Sequence, residues 1–236
     1  MPTPKPYRSW PQQVLRFIGK VVFFFFVGSI GLTVIYKFVP IPFTWTMLDR
    51  KFSDGGQVYY DWTSYQHISP EMALAVVAAE DQRFPQHFGF DFEMMGNAFK
   101  NNLKGRRIKG ASTISQQVAK NVFLWQGRSY FRKVLEAWFT LLVEVIWGKQ
   151  RILEVYLNVA ETGPMTFGVE AAAQRFFGKT AEQLTRAEAA RIAAVLPSPN
   201  RFLIQQPSSY VLRRTNAISR QMRALGGKTY LVGIGL

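Results

Sequence analysis

The chain has 236 residues, no cysteine, and 29 Lys and Arg against 15 Asp and Glu, for a formal charge of +14. That length suits one ordinary domain with something to spare, and the absence of cysteine excludes disulfides and thiolate-held metal. A charge this large serves no folding purpose and points to a polyanion, with nucleic acid, anionic lipid headgroups and phosphate-bearing substrates all open.

Residues 21–36, VVFFFFVGSIGLTVIY, carry no charge. Extended back through FIGK, the run reaches the roughly 20 residues that cross a bilayer core as a helix. Lys20 and Lys37 bracket it and can snorkel, and Tyr36, Phe38 and Trp45 supply interfacial aromatics. The tail before it holds Lys5, Arg8 and Arg16 and no acid, so the positive-inside rule keeps the N-terminus cytoplasmic and everything after residue 40 outside. KFVPIPFTW offers no small-x-small cleavage site, which favours an uncleaved anchor over a signal peptide. The expected division is a tail at 1–16, an anchor at 17–39, a proline-punctuated connector at 40–54, one domain at 55–225 and a short tail at 226–236.

Beyond the connector the chain reads as mainly α. SPEMALAVVAAE predicts a helix with Ser69 as N-cap, Pro70 at the first helical position and Glu71 in the first turn. STISQQVAKNVFL predicts a second, capped by Ser112 or Thr113, and SYFRKVLEAWFTLLVEVIW a long third. Helices are also expected in KQRILEVYLNVA, GVEAAAQRFFG, TRAEAARIAAVL and SSYVLRRTNAISRQMRAL, the last stopping at Gly226-Gly227. QVYYDWTS and the C-terminal TYLVGI are the only strand candidates.

Glu80 closes a helix of apolar composition, so its carboxyl is expected at the rim of the core. Desolvation and the negative helix end both raise a carboxyl pKa, toward the range of a general acid or base; a solvated helix-end Glu is the plainer alternative. Asp81, Phe84, His87 and Asp91 follow and are expected to shape the turn; no His spacing suggests zinc. Ser112, Gln116, Gln117 and Lys120 are expected to share one helix side, a neutral hydrogen-bonding stripe beside a lysine that suits sugar hydroxyls and phosphate. Residues 104–133 hold no acid, while Lys120, Arg128, Arg132 and Lys133 supply contacts to phosphate oxygens. Glu136 reads either as the ion-pair partner of Arg132 and Lys133 or as a second acid that positions a pyrophosphate or holds a divalent metal.

EDQRFPQHFGFD, GASTISQQVAKN, RKVLEAW, ILEVYLNVAETG and EAARIAAVLPSPNRF, taken together and in this order over about residues 55–220, resemble the five motifs of the peptidoglycan glycosyltransferases. The resemblance implies a lysozyme-like glycosyltransferase domain behind a single transmembrane helix. It makes Glu80 the general base, Glu136 the second acid, and Ser112, Gln116, Gln117, Lys120, Arg128, Arg132 and Lys133 the groups that bind substrate and pyrophosphate. The implied reaction transfers a growing glycan from undecaprenyl pyrophosphate to the GlcNAc 4-hydroxyl of lipid II, with inversion to a β-1,4 linkage. A divalent cation, Mg or Mn, is an expectation left open. No S-x-x-K or K-T-G element of a transpeptidase occurs, so the resemblance is to monofunctional members of a bacterial inner membrane, with the domain in the periplasm. Expected partners are lipid II, the growing strand, membrane lipids met by Phe92, Met94, Met95 and Phe99, and proteins of cell division or wall synthesis, with no nucleic acid. The rival is a membrane-anchored lytic glycosidase, for which the basic cluster would be surplus.

Overall fold

In the computed structural model the described residues are 10–96, 112–127 and 129–232, and the chain divides into two units, Met1–Val39 and Pro40–Leu236. The first contains one helix, α1 (Trp10–Phe38), whose 29 residues are long and apolar enough to cross a membrane. It starts inside the stretch expected to be tail, which is therefore helical from Trp10 onward.

The second unit runs in chain order α2 (Trp45–Asp54), β1 (Tyr59–Tyr60), α3 (Pro70–Glu80), α4 (Ile114–Phe123), α5 (Tyr130–Ile146), α6 (Lys149–Val159), β2 (Glu161–Gly163), β3 (Thr166–Phe167), α7 (Val169–Phe177), α8 (Arg186–Val195), α9 (Ser209–Ala224) and α10 (Lys228–Val232). α3 is its centre. Every residue from Glu71 to Ala78 is buried, which explains why this helix is apolar all round and not striped. α8, α9 and α10 pack against it, while α4 packs on α5, α6 and α2. The three short strands form a small sheet in the order β1-β3-β2, with β1 parallel and β2 antiparallel to β3.

The helix boundaries follow local chemistry. α8 opens on a capping box between Thr185 and Glu188, and α4 on another between Thr113 and Gln116. Ser69 stands at the N-cap of α3 but leaves the cap unmade, because its hydroxyl donates to the Leu184 carbonyl at 2.9 Å. Asn158, fully buried, ties α6 to the segment before α3 by accepting from Thr63 N–H at 2.9 Å and donating to Thr63 O at 2.8 Å.

Three stretches differ from the sequence expectation. The connector contains α2, started by the Thr44 side chain accepting from Met47 N–H and ended by Gly55 in the left-handed region at φ 66°. The strand candidate TYLVGI is helical over its first part, since Gly226 and Gly227 at φ 98° and 69° turn the chain into α10, which buries Leu231. The hairpin of β2 and β3, with Met165 at φ 55° in its turn, was not expected, its strands being too short to show alternation.

Candidate active site

Glu80 is the last residue of α3, and Asp81 is its C-cap. One Glu80 oxygen accepts from Gln117 Nε2 on α4 at 3.1 Å, and the other from Arg214 Nη2 on α9 at 3.4 Å. Its side chain keeps 15% exposure. Burial raises its carboxyl pKa; the Gln117 hydrogen bond and the Arg214 charge pull it partway back, and Asp81 pushes it up. Tyr156, buried on α6, donates its hydroxyl to Gln117 Oε1 at 3.3 Å. Burial holds that phenol well above its ordinary pKa, so it remains a donor. Occupying Oε1 in this way leaves the Gln117 amide nitrogen to face Glu80.

The turn after Glu80 is tied down by the residues expected to shape it. Asp81 meets His87 Nε2 at 2.9 and 3.0 Å and accepts from Ile114 N–H at 3.0 Å, an anion at the N-terminus of α4. Phe84 is fully buried, with Lys149 Nζ 4.5 Å above its ring. Asp91 accepts from Met94 N–H at 2.8 Å and meets Arg83 Nη1 at 3.5 Å. Gly89 has φ +76°, and a Cβ there would lie 2.7 Å from Thr140 Cγ2, so only glycine fits this close approach.

The expected polar stripe divides. Ser112 precedes α4 and is exposed. Gln116 is buried and turned into its own helix start: Oε1 accepts from Thr113 N–H at 3.1 Å, completing the capping box. Gln116 therefore serves the start of its own helix, and it is not among the residues that line the cavity at Gln117. Gln117 and Lys120 do line a cavity of about 340 Å³, together with Tyr156 and with Asp49 and Arg50 of α2. Glu80 is not on its wall and touches it through Gln117.

Lys120 is half-buried and makes no ion pair among the described residues. Burial lowers its pKa, the Glu136 charge raises it, and Arg132 and Lys133 lower it further. Glu136 is buried on α5; one oxygen accepts from Arg132 Nη1 at 2.9 Å and the other from Lys133 Nζ. Its ion-pair reading therefore holds, in a buried setting where losing either cation would leave a costly charge. A metal fits poorly. Both carboxylate oxygens already face cations, and among the described residues no group of three or more His, Cys, Asp or Glu could hold an ion. Arg128 and Phe99 lie outside the described residues, whereas Phe92, Met94 and Met95 are exposed.

Sequence reasoning missed Arg214, Tyr156 and the α2 residues. α9 carries Arg213, Arg214, Arg220 and Arg223 and no acid; which of these cations finds a partner on another element depends on neighbours that the sequence does not display. α2 does carry end signals, Thr44 as N-cap and Gly55 after its last turn, but the prolines that precede them give the stretch the look of a connector.

Residues 49–223 match the family model described as transglycosylase. The biosynthetic peptidoglycan transglycosylase of Pectobacterium carotovorum subsp. carotovorum strain PC1 is 54% identical over 205 residues, 84% of each chain. Proteins of the same description from Pseudomonas putida F1 and Pasteurella multocida Pm70 are each 48% identical. The matched span covers 93% of this chain and 95% of the Pseudomonas protein, and 94% and 93% for the Pasteurella pair.

Proposed function

The chain belongs to the transglycosylase family, and from that premise we infer how its site works as a peptidoglycan glycosyltransferase that polymerises glycan strands. The observation that carries the mechanism is a buried helix-end carboxyl, aimed by Gln117 and with its pKa raised by that burial, beside a cavity lined by Lys120, which makes no ion pair among the described residues. Glu80 is the general base. Its exposed edge receives the GlcNAc 4-hydroxyl of lipid II and takes the proton as that oxygen attacks C1 of the donor sugar. The C1–oxygen bond to undecaprenyl pyrophosphate breaks, the configuration inverts, and the pyrophosphate leaves with the bonding electron pair.

Lys120 meets the charge that builds on the leaving group, the kind of fixed electrostatic complement that contributes most to many enzymes. Arg132 and Lys133 extend the positive field, with Glu136 holding them in place, and Arg128, outside the described residues, is the fourth cation assigned to the pyrophosphate. α1 anchors the protein in a bacterial inner membrane with its N-terminus cytoplasmic, supported by the basic tail and the apolar helix. The 55–225 region, extended back to include α2, is the catalytic domain, and exposed Phe92, Met94 and Met95 meet the lipid surface from which the substrate enters.

The test incubates full-length protein with labelled lipid II and sizes the products before and after muramidase digestion. A muramidase-sensitive ladder is the expected result. Cleavage of preformed strands without a ladder would instead show a lytic enzyme.

A further inference from the structure

The cavity beside Gln117 and Lys120 has a second wall to which the reaction above gives no role. α2 supplies it with Thr46, Asp49 and Arg50. Arg50 is engaged: it grips Glu161 through Nε at 3.1 Å and Nη2 at 3.3 Å, and Asn200 Nδ2 donates to the same carboxylate at 3.0 Å. This clamp fixes α2 against β2. Asp49, one residue earlier, has no hydrogen bond or ion pair among the described residues, although it lines the same cavity.

The two walls differ in sign. Lys120 on α4 offers a cation, and Asp49 on α2 offers a carboxylate whose acceptor sites no described residue occupies. A phosphate entering this space is drawn to the first and repelled by the second, which leaves the neutral, donor-rich part of the substrate facing Asp49. The volume of about 340 Å³ is at the low end of small-molecule sites, which run from ~300 to ~1,000 Å³; it suits one sugar unit and its phosphate, not a strand.

We propose that Asp49 is a substrate-binding residue: its carboxylate accepts a hydrogen bond from a hydroxyl or amide N–H of the sugar ring next to the donor pyrophosphate, with the Arg50–Glu161 clamp holding α2 in reach. The inference rests on the glycosyltransferase reading and adds the first helix after the anchor to the substrate site. Because Asp49 has no hydrogen-bond or ion-pair partner among the described residues, its removal is expected to leave their contacts intact, which separates binding from structure.

The experiment measures lipid II polymerisation by full-length wild type, Asp49→Ala and Asp49→Asn, with a thermal unfolding midpoint for each. A hydrogen bond to a charged group is worth about tenfold or more in affinity. Asp49→Ala is expected to raise KM about tenfold with kcat unchanged, the pattern of a contact made equally in ground and transition states. Asp49→Asn, which keeps an acceptor oxygen, is expected to recover most of the loss, and all midpoints to coincide. An unchanged KM in Asp49→Ala, or a KM rise matched by a fallen midpoint, overturns the inference while the polymerase reading stands. Absence of polymer from wild type sinks both.

Discussion

Two adjacent glutamines show how one residue type serves two ends within a single helical turn. Gln116 closes a capping box, and Gln117 orients the carboxyl of Glu80. Gln116→Ala is expected to cost about 1 kcal/mol of stability, read as a lower unfolding midpoint, with the pH profile of transfer unmoved. Gln117→Ala is expected to act on the profile. A base works in its ionised form, so the rate falls on the acid side as pH drops through the raised Glu80 pKa. The Gln117 hydrogen bond favours the ionised form, so its loss raises that pKa further and moves the acid limb of kcat/KM to higher pH. An acid limb that stays in place, or moves lower, would contradict the role given to Gln117. The sequence makes Glu80 legible, because a carboxyl ending an apolar helix is an anomaly in itself. It does not separate Gln116 from Gln117, since which amide turns inward depends on where Thr113, Tyr156 and Glu80 lie in space.

Between the C-terminus of α3 and the N-terminus of α4, the site depends on one tight crossing. Asp81 bonds to Ile114 N–H, and the Thr113 hydroxyl donates to Gly89 O at 2.6 Å, so the turn after Glu80 and the helix bearing Gln117 and Lys120 are placed together. Gly89→Ala adds a left-handed backbone penalty to a clash with Thr140, about 2–4 kcal/mol in all. It is expected to lower the unfolding midpoint and to reduce transfer by displacing α4; a variant as stable and active as wild type would show that the crossing tolerates a side chain. The long helices were legible because caps and apolar periodicity agree along them, as at Thr185 and Glu188 in α8. The exceptions have physical causes. β3 is held by pairing with β1 across more than a hundred residues, and β2 joins the sheet only through β3, interactions with no local signature in such short strands, and α2 was hidden by the prolines just before it, which mark its approach and not its body.

For the molecule as a whole, the excess of positive charge has two separate addresses. Part of it is already neutralised in buried or half-buried pairs such as Arg132 with Glu136 and Arg214 with Glu80. Part of it, with Lys120 as an example, faces the cavity without a direct ion pair among the described residues. Composition alone could not divide the two, which is why nucleic acid stood beside phosphate-bearing lipid as a reading of the +14 charge. The motifs in order supplied the family; the fold supplied the partners of each motif residue, including the Arg214 and Tyr156 contacts that no motif spacing displays. The proposed reaction depends above all on the Glu80 carboxylate taking the proton from the attacking hydroxyl. The most direct test compares lipid II turnover by full-length wild type and Glu80→Gln at matched folding. A positioned general base contributes about 10²- to 10⁴-fold, so a loss in that range with lipid II binding retained is the predicted result, and Glu80→Gln turning over within a few-fold of wild type would contradict it.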